Sequence, residues 1–241
     1  MIQTHELTKR YGDKTAVDRL NLSVRDGELF SLLGVNGAGK TTTIRMLSCL
    51  STPSSGEAYV GGFDCQTQAA EVKRIIGISP QDTAVADNLT VRENLTLMAG
   101  LYGLEKAETL ARVERELADF KMHEVADRRA KTLSGGWKRR LSIAMALISE
   151  PKLLFLDEPT LGLDVLARRE LWRVIEGLRG RVTVVLTTHY MEEAERLSDR
   201  IAVMISGRIA ACGTLAELLS QTGEKDLESA FVAIAEQEGV Q

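Results

Sequence analysis

The chain has 241 residues, 44% of them hydrophobic and 27% charged. That is the balance of an ordinary globular protein able to bury a core without staples, and it excludes disordered, collagen-like and mini-protein classes. A formal charge of −4 leaves no basic excess for a nucleic-acid backbone, so no nucleic-acid partner is expected.

In chain order, the run Glu28–Leu33 reads as a strand, and the segment Thr42–Leu50 after it as a helix. A second apolar run covers Ile75–Pro80. From Asp82 to Glu150 β-rich runs vanish, and Val91–Tyr102, Lys106–Met122 and Trp137–Ser149 repeat apolar residues every three or four positions, which predicts a helical insertion. Strand-like runs return at Leu153–Leu156, Val182–Thr187 and Ile201–Ile205. Near-continuous apolar runs of this length, alternating with helical segments, predict a parallel α/β sheet buried on both faces. The closing segment 215–241 has helical spacing with Gly223 as a break.

The longest unbroken apolar run, Ile143 to Ile148, is far below the ~18 residues of a spanning helix. The opening MIQTHELTKRYG lacks the pattern of a secretory signal, so the chain is expected to stay where it is made. Cys49, Cys65 and Cys212 share no CxxC spacing and are expected to be three buried, reduced thiols acting as small apolar residues.

The chemistry begins at Gly34-Val35-Asn36-Gly37-Ala38-Gly39-Lys40-Thr41-Thr42, placed between a strand and a helix. Glycines let successive N–H groups curl round phosphates, the helix start adds its positive end, Lys40 reaches the outer phosphates, and the Thr41 hydroxyl can ligate Mg²⁺. A nucleoside triphosphate is the expected ligand. Phosphoryl transfer also needs an acid for the metal and a group to orient water. Asp157 closes the run Leu153–Leu156 and Glu158 follows it, so Asp157 is assigned to Mg²⁺ and Glu158 to accepting a proton from the attacking water.

Together with Leu133-Ser134-Gly135-Gly136-Trp137 and the basic Lys138-Arg139-Arg140, these residues resemble the nucleotide-binding subunit of ATP-binding-cassette (ABC) transporters over nearly the whole chain. The family's LSGGQ signature departs here only at Trp137. The resemblance implies one ABC domain over 1–241. Its α/β core, a P-loop NTPase core with a parallel sheet and an N-terminal antiparallel β portion, would span 1–81 and 151–214. The helical insertion would be 82–150, with a C-terminal helical segment from 215.

The resemblance also implies roles. Tyr11 stacks on adenine, as an aromatic face suits. Gln81 touches Mg²⁺ and the water. Ser134, Gly135 and Gly136 close on the ATP of a second nucleotide-binding domain, in a homodimer or heterodimer. Asp164, in Leu161-Gly-Leu-Asp164, lies in the loop that crosses to that partner and can also cap the helix after it. His189, ending a strand, contacts the γ-phosphate. His5 and His123 have no such context. The implied function is the ATP-hydrolysing motor of a membrane transporter, peripheral on the cytoplasmic face and coupled to separate membrane-spanning permease chains. The stretches Thr187–Arg200, Lys9–Asp13 and Asp226–Phe231 look like the drug, lipid and polysaccharide exporters of the ABC-2 type. A soluble or cell-division ABC ATPase is the alternative. A small-molecule kinase would leave the signature and His189 without a role.

Overall fold

The computed structural model describes residues 1–239. The chain begins with β1 (Ile2–Tyr11), β2 (Lys14–Leu20), β3 (Ser23–Val24), β4 (Leu29–Leu33) and α1 (Lys40–Leu47). Next come β5 (Ser55–Val60), β6 (Phe63–Asp64), α2 (Ala69–Ile75) and β7 (Ile76–Ser79), then three helices, α3 (Val91–Leu101), α4 (Lys106–Asp119) and α5 (Gly135–Leu147). The remainder runs β8 (Leu153–Asp157), α6 (Val165–Glu176), β9 (Thr183–Thr188), α7 (Met191–Leu197), β10 (Arg200–Ile205), β11 (Arg208–Gly213), α8 (Leu215–Thr222) and α9 (Leu227–Gln237).

Six strands form the central sheet in the order β11-β10-β4-β9-β8-β7. Every pairing is parallel except β10 with β11. The expected strands therefore lie side by side, and β4, β8 and β9 are buried along their whole length. Alternate residues supply two cores, as the period of two requires. Leu29, Leu154, Leu156, Val184 and Leu186 join the core shared with α3 to α6. Phe30, Leu32, Leu153, Phe155 and Val185 join the core beneath a second, antiparallel sheet of order β2-β1-β5-β6, with β3 on β1. A third cluster packs α7, α8 and α9 against Leu33, Ile201 and Val203.

The structure shifts several expected boundaries. Helix α1 starts at Lys40 and stops at Leu47, because Cys49 takes a left-handed φ of 57°. Helix α4 ends at Asp119, ahead of Lys121 at φ 54°. Helix α5 begins two residues earlier than its apolar spacing suggests, with Ser134 as its N-cap. Gly223, at φ 78°, ends α8. Of the segment expected to be helical to its end, residues 240 and 241 lie outside the described residues. The cysteine expectation is corrected: Cys65 is buried, Cys49 half-buried and Cys212 exposed, the last because it sits on β11, the edge strand, beside Arg200.

Candidate functional site

Strand order decides where the chemistry gathers. Because β4, β9, β8 and β7 are adjacent and parallel, their C-terminal ends share one edge, with Leu33 paired to Thr188 and Asp157 to Thr187. The glycine loop leaves β4, Asp157 and Glu158 end β8, His189 follows β9, and Gln81 follows β7. Open parallel sheets bind ligands at this edge.

The loop of residues 34–39 fits closely under the neighbouring backbone. A β-carbon at Gly34 would lie 2.4 Å from the Met204 carbonyl oxygen. At Gly39 it would lie 2.5 Å from the Ala16 carbonyl oxygen, and φ there is 107°, a conformation open to glycine and strained for other residues. Gly39 is the residue that turns the loop into α1, so Lys40 opens the helix.

Lys40 is 5% exposed. Its Nζ donates to the Gly34 carbonyl at 2.7 Å and lies 3.1 Å from Glu158 Oε1. Glu158 Oε2 in turn is 2.8 Å from His189 Nδ1. The Thr41 hydroxyl donates to Asp157 Oδ1 at 3.0 Å, and the Thr187 hydroxyl to the same oxygen at 2.6 Å. The Glu158 N–H donates to Thr187 Oγ1. Its backbone is left-handed, φ 49°, a strained state for a non-glycine residue that the packing around it over-determines.

Tyr11, Asn36, Gly37, Ala38, Gly39, Lys40, Thr41, Thr42, Gln81, Glu158 and His189 all line one open cleft of about 460 Å³. Gly34 and Asp157 stand directly behind it, bonded to Lys40 and Thr41. Tyr11 is half exposed, with Lys9 Nζ 5.0 Å from its ring centroid. The Gln81 and Pro80 carbonyls accept hydrogen bonds from Arg139, which burial holds below the usual arginine range.

Ser134, Gly135, Gly136 and Asp164 do not line this cleft. They form a separate neighbourhood. Ser134 caps α5 without a side-chain bond, and a β-carbon on Gly136 would lie 3.2 Å from that of Ala167. Asp164 Oδ1 accepts from the Ala167 N–H at 2.9 Å as the cap of α6. Trp137 lies under the Arg140 guanidinium, 4.7 Å from its carbon, and Arg140 pairs with Glu170 on α6.

Residues not assigned from the sequence also contribute. Thr187 braces both acids, and its one available signal was the hydroxyl at the end of an apolar strand. Lys14 and Ala16 line the cleft from β2, a strand with no apolar run to announce it.

The sequence profile described as ABC transporter matches residues 17–161. The chain belongs to the ABC transporter family. It is similar to the daunorubicin/doxorubicin resistance ATP-binding protein DrrA of Streptomyces peucetius, 44% identical over 227 residues, covering 94% of this chain and 69% of DrrA. It is 39% identical over 240 residues to the probable multidrug ABC transporter ATP-binding protein YbhF of Escherichia coli; the match takes in 97% of the chain but only 41% of YbhF. Its fold resembles the dimeric structure of a post-hydrolysis state of the ATP-binding cassette MJ0796 bound to ADP and Pi, with a TM-score of 0.80, 26% identity, and coverage of 89% of this chain and 99% of that one. The chain is an ABC ATPase cassette. Among the described residues no helix is long and apolar enough to cross a membrane.

Proposed function

We propose that this ABC cassette is the ATP-driven motor of a membrane exporter, working as a pair of nucleotide-binding domains joined to separate membrane-spanning chains. The observation that carries the chemistry is the continuous contact Lys40–Glu158–His189 beside Thr41–Asp157, all at one strand edge. A triphosphate seated on the residue 34–39 loop draws Lys40 to its outer phosphates, and the Glu158 carboxylate then loses that partner. Freed in this way, Glu158 takes the proton of the attacking water, while His189, held through Nδ1, turns its other ring nitrogen to the phosphate. Thr41 and Asp157 are hard oxygen donors that would hold Mg²⁺, and the ion would supply charge neutralisation at the phosphates. Tyr11 gives the base a face to stack on.

Two domains are needed because Ser134, Gly135 and Gly136, an anion-binding helix start, sit outside their own chain's cleft. In this reading they close the partner's. The membrane chains dock on an apolar groove lined by Leu50, Ile78, Met98, Tyr102 and Met145, where Leu50 is 62% exposed and Tyr102 41%. That groove adjoins Pro80, next to Gln81, so docking and the cleft share one stretch of backbone. The cassette then lies on the cytoplasmic membrane face. Export accords with the names of DrrA and YbhF, a drug-resistance and a probable multidrug-transport ATP-binding protein.

The test is a mild-detergent pull-down of tagged Glu158→Gln chain from its native cells with ATP present, read by mass spectrometry. A polytopic membrane protein at stoichiometric yield is expected. Recovery of a ribosome or a division complex instead would overturn the transporter reading.

A further inference from the structure

Helices α6 and α7 meet through a ladder of three side-chain pairs. Arg168, Trp172 and Glu176 are spaced i, i+4, i+8 along one face of α6. Tyr190, Glu193 and Arg196 follow at i, i+3, i+6 along the start and face of α7, the spacing at which helical side chains line up. The Arg168 guanidinium lies 4.5 Å from the centroid of the Tyr190 ring. Trp172 Nε1 donates to Glu193 Oε1 at 2.9 Å. Arg196 Nε donates to Glu176 Oε1 at 2.8 Å, with its guanidinium 5.3 Å from the Trp172 ring.

The middle rung is an expensive way to join two helices. Trp172 is 1% exposed and Glu193 0%, and burial pushes the Glu193 carboxyl up from its ordinary range. Glu193 Oε2 is buried without a hydrogen-bond partner among the described residues, as is Arg168 Nε. Apolar packing between two helices avoids both costs.

The two ends of the ladder locate its use. Helix α6 is capped by Asp164 at the end of a loop, where Leu161 is exposed at 37% and Val165 and Leu166 of the first helical turn at 63% and 76%. At the other end, the Tyr190 ring lies 4.1 Å from the ring of His189, tilted by 41°, and His189 holds Glu158. We propose that Arg168–Tyr190 and Trp172–Glu193 are positioning contacts that carry the seating of a second copy of this chain on the 161–166 segment to His189. His189 and Glu158 thereby reach working geometry only when the partner is in place. This rests on the two-domain reading above and adds the route by which one half senses the other.

The test compares Tyr190→Ala, Tyr190→Phe, Arg168→Ala and the Arg168→Ala/Tyr190→Ala double variant in the full chain. ATPase kcat and KM are measured against protein concentration, and ATP-dependent dimerisation is followed by light scattering with Glu158→Gln added. Tyr190→Ala is expected to cut kcat about tenfold, with KM within about twofold and the ATP-bound dimer still formed. Tyr190→Phe, which keeps the ring, is expected to retain wild-type kcat, and the double variant to be no slower than Tyr190→Ala alone. Unchanged kcat in Tyr190→Ala, an equal loss in Tyr190→Phe, or additive losses in the double variant would overturn the coupling while leaving two-domain action intact. Absence of an ATP-dependent dimer in the Glu158→Gln chain itself would overturn the two-domain reading, and the coupling with it.

Discussion

Lys40 Nζ stands 3.1 Å from Glu158 Oε1, with the two side chains 5% and 7% exposed, so the group assigned to the phosphates and the group assigned to the water neutralise each other. Glu158→Gln keeps an oxygen for Lys40 but removes the proton acceptor. Turnover is expected to fall by about 10²- to 10⁴-fold with ATP affinity retained, so that ATP accumulates an unhydrolysed dimer. Steady-state hydrolysis alongside equilibrium nucleotide binding checks both halves, and wild-type turnover would remove the role given to Glu158.

Lys40→Ala acts on the other partner. It deletes a buried cation that bonds the Gly34 carbonyl and is proposed to meet the outer phosphates. A charge-assisted hydrogen bond contributes about 1.5–3 kcal/mol, so ATP affinity is expected to drop by about 10- to 100-fold. Calorimetric titration measures it. Unchanged affinity would count against the phosphate loop.

The sheet was legible because β4, β8 and β9 are buried on both faces and so write unbroken apolar runs. The site was legible for the same reason, since Lys40, Asp157, Glu158 and His189 each follow the end of such a run. The antiparallel sheet at the N-terminus was expected from the family resemblance alone, and its strands were not legible from their own residues. Strand β1 alternates buried and exposed residues irregularly around bulges at Leu7, Lys9 and Arg10, which hides its period, and β2, which carries Lys14 and Ala16, has no apolar run of its own. Thr187 was invisible for another reason: a threonine ending a strand looks the same whether it faces core or carboxylate. The α6–α7 ladder could not be read at all, because its partners lie about twenty residues apart and only the crossing of two helices brings them together.

Trp137, the departure from the family signature, does not line the cleft. Its ring carries the Arg140 guanidinium and packs beside the core under α5. Trp137→Gln is expected to leave the affinity of the single chain for ATP unchanged and to lower stability by about 0.5–1 kcal/mol from the lost cation–π contact, with lost burial adding to it. Denaturant melts and nucleotide titration separate the two effects. A shift in ATP affinity would show that Trp137 reaches the chain's own nucleotide.

Far from the cleft, Glu116 on α4 is 4% exposed, and burial pushes its carboxyl up to about 7, opposed by the nearby Arg115 charge. A carboxyl raised in the folded state binds its proton more tightly there than in the unfolded chain. Its contribution is therefore fully present below pH 4.5, its ordinary value, and is lost as pH rises through about 7. The whole change is on the order of 3 kcal/mol. Glu116→Gln should flatten this fall, and unfolding curves from pH 5 to pH 8 test it; parallel slopes in the two proteins would show that Glu116 ionises as freely as in water.

The 80–152 segment is tethered at opposite ends of neighbouring strands. It leaves β7 after Ser79, at the cleft edge, and returns to β8 at Leu153, the far edge, with Ile76 paired to Leu153 and Ser79 to Leu156. The first mooring is an irregular backbone from Pro80 to Thr90, held by side-chain bonds from Arg139 and Asn94. The second is stiff, a wholly buried strand clamped on both sides. A torque on the α3–α5 helices is therefore expected to be unevenly shared, moving Gln81 more readily than Asp157 and Glu158, which are held in register with Thr187. The two acids that end β8 are then expected to form the fixed side of the cleft, and Gln81 its adjustable side.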